Sequence, residues 1–154
     1  MRLQAAWLLI SALAVSGHKA NDATNPRQAI QAVLDSITKD LVAANRTSLA
    51  ARYDRSGAVF LGNWGMRTVP FDSIPDVYGP KWTAPVRFHW RNITMDVIDS
   101  RNAVVYAQFM WYDSATASSL TQYTGVFRFD GKAWRIRSDH ESWQLPCPAD
   151  TLSK

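Results

Sequence analysis

With a single cysteine in 154 residues, Cys147, the chain has no internal disulfide available, and its fold must stand on a hydrophobic core. Glutamate is as scarce, with Glu141 alone, and there are only three histidines. Remote histidines and scattered aspartates do not make a ligand set, so no metal and no other cofactor is expected. A Gly-rich phosphate loop and an activated-serine signature are both missing. So are internal repeats and low-complexity tracts. The apolar run Ala5 to Val15 is shorter than the roughly 20 residues a membrane span needs.

What is present begins with that run. A positive start at Arg2, the apolar stretch, then small residues at Ser16, Gly17 and Ala20 follow the grammar of a secretory signal peptide. The expected division is a signal over residues 1–20 and one domain over 21–154, with a short tail from about 145. A cut after Gly17 is the competitor. Such a chain would be exported, periplasmic or secreted, with no membrane attachment after cleavage. Losing Arg2 and Lys19 takes the charge from +4 to +2. The positive charge left on the domain is too mild and too dispersed to argue for nucleic acid.

Asn25-Pro26 reads as a helix N-cap followed by proline in the first turn. Ile30, Val33, Leu34, Ile37 and Leu41 then recur at helical spacing to about Ala44. A short second helix, capped by Thr47 or Ser48, runs to Tyr53. Ala58 to Leu61 and Met66 to Val69 form a short hairpin. The proline-punctuated stretch 70–85 holds at most a short helix around Asp72 to Tyr78. From Val86 onward the chain reads as four long antiparallel strands. Val86, Phe88 and Trp90 sit on one phase and Ile93, Met95 and Val97 on the other, which calls for a β-bulge near Arg91-Asn92. Helices placed before an antiparallel run imply an α+β sandwich, the helices covering one face of a curved sheet.

Several phrases and their order resemble the NTF2-like superfamily, in particular its SnoaL-like and ketosteroid-isomerase-like members. They are Leu49-Ala-Ala-Arg-Tyr-Asp-Arg-Ser-Gly-Ala-Val-Phe60, Asn102-Ala-Val-Val-Tyr106, and Phe127-Arg-Phe-Asp-Gly-Lys-Ala-Trp-Arg-Ile136 running into His140-Glu-Ser142. The resemblance covers about residues 29–143. It implies a cone: N-terminal helices packed on a strongly curved antiparallel sheet, with a pocket in the open end. Similar proteins include isomerases, cyclases, dehydratases, epoxide hydrolases and non-catalytic binding or assembly domains, so the fold does not give the function. No catalytic pattern of any one of these enzymes is matched.

The last strand carries the main candidate. With period two, Trp134, Ile136, Ser138, His140 and Ser142 share an inner face, while Arg135, Arg137, Asp139 and Glu141 go to water. A two-residue Asp130-Gly131 turn then pairs Phe127 with Trp134, Gly125 with Ile136, Tyr123 with Ser138 and Thr121 with His140. On this reading His140 is either a pocket acid/base, with Tyr123 or Thr121 polarising a substrate oxygen, or a core histidine satisfied by a helix. Ser138 and Ser142 complete the polar patch. Tyr53 and Asp54, at the helix-to-strand handover, and Trp64 and Trp111 are further candidates for a ligand site. Turn-forming use of Asp54 is the competing reading. Trp82 in its loop could rim the pocket, and His89 reads as exposed.

Two functions follow from different classes. One is a domain binding a small, largely apolar molecule without catalysis. The other is an isomerase, cyclase or dehydratase with His140 moving a proton. Scarce inward carboxylates favour the first. A homodimer through the outer sheet face would set Asp139 and Glu141 against Arg128, Arg135 and Arg137.

Overall fold

The computed structural model describes residues 25–62, 65–116 and 118–143. The expected signal, Trp64 and Cys147 lie outside these residues. Helix α1 (Pro26–Val42) starts where Asn25 accepts a hydrogen bond from the Arg27 amide at 3.0 Å, with Pro26 in its first turn. Ile30, Leu34, Ile37 and Leu41 form its buried stripe. Replacing Asn25 with alanine is expected to cost about 1 kcal/mol of stability, measured by urea titration, because one helix-end amide loses its acceptor.

Helix α2 (Arg46–Ala50) is capped by Asn45, whose side chain accepts from the Ser48 amide at 3.2 Å, ahead of the expected caps Thr47 or Ser48. Ser48 instead donates to Asp40 at 2.7 Å, and Arg52 adds 2.8 Å, which gives the largely buried Asp40 its partners. Strands β1 (Ala58–Gly62) and β2 (Gly65–Val69) form the short hairpin. A 3₁₀ turn over Phe71–Ser73 leads into α3 (Ile74–Val77). The long strands are β3 (Arg87–Val97), β4 (Asn102–Tyr112), β5 (Ser118–Phe129) and β6 (Trp134–Trp143).

All six join one curved, unclosed sheet in the order β2-β1-β6-β5-β4-β3, antiparallel throughout except for the parallel β1–β6 pair. The expected bulge in β3 falls between Arg91 and Thr94, with Asn92 at φ 50°. It lets Phe88 and Trp90, then Ile93, Met95 and Val97, all pack on the core. Helix α1 lies across β3 and β6, and Trp90 Nε1 donates to the Leu34 carbonyl at 3.2 Å. The filled part of the core centres on Leu34, Leu49, Val105, Phe127 and Ile136.

The β5–β6 hairpin departs from the expected register twice. Phe129 faces Trp134, so the loop holds four residues, with the Asp130 carboxylate accepting from the Lys132 and Ala133 amides at 2.8 Å. That moves the pairing by two and leaves the faces unchanged. Further on, Phe127 faces Ile136 but Val126 faces Ser138, so Arg137 is an extra residue in β6. Its guanidinium leaves the sheet to donate to the Gly57 carbonyl at 2.7 Å. One extra residue inverts every side chain after it.

Candidate functional site

The inversion decides what lines the interior. Beyond Arg137 the inward residues of β6 are Asp139, Glu141 and Trp143, opposite Gly125, Tyr123 and Thr121. Ser138, His140 and Ser142 take the outer face, with His140 exposed and paired to Thr124. The expected pairing of His140 with Thr121, and with it the inward imidazole, is therefore corrected. Asp139 and Glu141 do not go to water either. That also removes the counter-charges a dimer through the arginine-bearing outer face would use.

These residues floor a cavity of ≈ 710 Å³. Its walls are rings. Tyr78 and Trp82 meet edge to face at 5.3 Å, Trp82 and Trp111 at 6.3 Å, Phe88 and Trp90 at 5.1 Å, and Trp90 and Tyr123 at 5.0 Å. Ile37 and Leu41 of α1 close one side, and Phe60 of β1, the parallel neighbour of Asp139, another. Arg67, Lys81 and Asp113 are the charged groups elsewhere on the lining. An apolar concavity of this size with a few convergent polar groups suits one small molecule.

At the floor, Tyr53 donates to Asp139 Oδ2 at 2.7 Å, and the Tyr53 and Tyr78 hydroxyls lie 2.9 Å apart. With Tyr53 donating to the carboxylate, Tyr78 must donate to Tyr53. Asp139 is 5 % exposed, and no described residue forms a salt bridge with either acid. Burial pushes Asp139 up to about 7, against which the Tyr53 hydrogen bond and the charge of Arg67 pull down. Burial and then the charge of Asp139 push Glu141 up to about 8. The two titrate as a pair near neutrality. Tyr53 is held above its usual range by burial first, then by Asp139 and Tyr78.

Tyr123 leans over Gly125, where an added Cβ would sit 2.4 Å from the phenol oxygen. Only glycine leaves that space. The Tyr123 hydroxyl is buried and has no hydrogen-bond partner among the described residues.

Against known proteins, no family description matches the chain, and no curated protein matches it. Solved structures do. An NTF2-like protein of unknown function from Shewanella oneidensis superposes at TM-score 0.69 with 14 % identity, over 77 % of this chain and 99 % of that one. The fold is NTF2-like. A candidate ketosteroid isomerase from Parabacteroides distasonis gives 0.66 at 15 % identity, covering 80 % of this chain and 91 % of the other. A candidate scytalone dehydratase from Novosphingobium aromaticivorans gives 0.62 at 13 %, over 77 % and 84 %. At such identities the likeness concerns the fold alone.

In this NTF2-like cone, the cavity brings together Tyr53, Trp111, Thr121 and Tyr123 of the residues expected at a site. Trp82 joins them. It leaves out His140, Ser138 and Ser142, which lie on the other face. Asp54 is also elsewhere: it is buried in a turn, where its Oδ1 accepts from the Ser56 amide and hydroxyl and from Arg128 at 2.7 Å. Those bonds outweigh burial and hold its carboxyl below the usual range. This is the turn-forming use. His89 is exposed beside Tyr112. Asp139, Glu141, Tyr78, Arg67 and Gly125 were not among the residues expected at the site. Trp143 supplied the one hint, a large ring on the phase that was otherwise read as polar and outward.

Proposed function

We propose that the chain binds a small, largely apolar, ring-containing molecule in this cavity and moves a proton on it with the Asp139–Glu141 pair. The observation that carries the reading is two carboxylates facing an aromatic-walled cavity with no salt-bridge partner among the described residues. Burying acids without a salt-bridge partner opposes folding, and such groups concentrate where chemistry needs them. An inward acid pair is also the feature whose expected absence favoured a purely binding role. Asp139, which keeps the Tyr53 hydroxyl, is the base, and Glu141 holds the proton as the acid. The fold shared with candidate isomerases and dehydratases supports the same reaction class. The apolar run after Arg2 supports export of the chain.

A reaction that reports any buried base tests this without knowledge of the natural substrate. In 5-nitrobenzisoxazole, a base takes the C3 proton, the N–O bond breaks, and a coloured cyanophenolate leaves. The protein is expected to accelerate this well beyond acetate at equal concentration, with the rate rising through about pH 7 as Asp139 ionises. Asp139→Asn should remove most of the acceleration. No acceleration over acetate, or one untouched by Asp139→Asn and Glu141→Gln together, overturns the proposal.

A further inference from the structure

Tyr53 and Tyr78 spend their hydroxyls on each other and on Asp139, whereas the Tyr123 hydroxyl, on the same floor, has no partner among the described residues. A buried donor without an acceptor costs free energy that water cannot relieve here, because the oxygen is closed off from solvent. Its position says what it waits for. A tyrosine side chain reaches about as far as two residues of strand, about 6.6 Å. Lying over Gly125, the phenol ends at the rung where Gly125 faces Asp139, one step from the rung it shares with Glu141. A carboxylate that loses its proton gains acceptor capacity, whereas a protonated one has a hydrogen of its own to place.

We propose that Tyr123 is a positioning residue that steadies the ionised form of the Asp139–Glu141 pair, turning its free hydroxyl onto the carboxylate when the proton leaves. The inference rests on the pair working with Asp139 as its base, and it names the residue that sets when the pair works. The groups facing the pair are Tyr53 after α2, Tyr78 after α3, Arg67 on β2, and Lys81 and Asp113 on the flanking loops. Arg67 and Tyr53 favour the ionised Asp139 in every state, since both already act on it. Among the described residues, Tyr123 is the tyrosine on this floor whose buried hydroxyl has no acceptor. Gly125 is part of the device, because any larger residue would push the phenol off the rung.

Tyr123→Phe separates this from mere packing, since it keeps the ring and removes only the oxygen. A packing role predicts the same change in urea midpoint at every pH. The proposal predicts a change of sign: more stable than the parent near pH 5, where an unpaired hydroxyl has gone, and less stable near pH 9, where the ionised pair has lost a donor. Carboxyl ¹³C signals of Asp139 and Glu141 should titrate about one pH unit higher in the variant. Gly125→Ala, which keeps the hydroxyl but displaces it, should raise the titration in the same direction. Unchanged carboxyl titration, or a pH-independent stability change, overturns the role of Tyr123. These readouts do not need the benzisoxazole reaction, so a failure there counts against the proton-transfer reading and not against this one.

Discussion

The protein is expected to lose stability as pH rises from about 5 to about 9, and Asp139→Asn with Glu141→Gln is expected to abolish most of that loss. In the unfolded chain the two carboxyls have their ordinary values, 3.8 and 4.5, whereas in the folded chain they hold their protons to about 7 and 8. Between these limits the native state binds more protons than the unfolded state, so the stability slope is negative. Below about pH 4 both states are protonated and the pair contributes nothing. Above about pH 8 its full penalty is present. Glu141 is only half-buried and its carboxylate faces the cavity, so the whole shift does not convert into stability. On the order of 2–4 kcal/mol gained by the double variant at high pH is the reasonable expectation. Asp54 and Asp130 are shifted the other way, so their contributions are lost only as pH falls below about 4. Urea titrations of both proteins at about pH 5, 7 and 9 test this. A parent whose stability is flat or rising across that range would place the two acids in water.

The second large effect concerns the filled end of the cone. Phe127 is fully buried on β5 beside Ile136, where a truncation leaves a hole that the sheet cannot collapse around. Phe127→Ala should cost about 3–5 kcal/mol. Trp82→Ala removes a larger ring but should cost clearly less, because Trp82 is half-buried and already borders open space. The two variants, compared by urea titration at one pH, show where core ends and cavity begins. Equal costs would mean that the cavity is filled in solution.

Most of the scaffold could be read from local chemistry. Asn25-Pro26 and the stripe from Ile30 to Leu41 specify α1, and the phase change between Trp90 and Ile93 specifies the β3 bulge, because apolar residues on both sides of it mark the core. The bulge in β6 had no such marker. Past Ile136 both phases are polar as far as Trp143, so strict alternation ran on with nothing to correct it and kept the wrong phase. The Asp130 loop misled less, since a shift of two residues preserves the faces. Tyr53, Trp111, Thr121 and Tyr123 were found because they lie on strands or handovers whose phase was secure. Asp139 and Glu141 were missed because theirs was not.

Arg137 therefore has a weight beyond its own hydrogen bond to Gly57. Strand β6 is written so that it holds two complete linings, a hydroxyl-imidazole set and an acid-indole set, and the single unpaired residue selects which is displayed. A change of strand phase, with no side chain altered, would exchange one chemistry for the other. In a sheet of this kind, the insertion or loss of one residue is a mutation of the whole pocket.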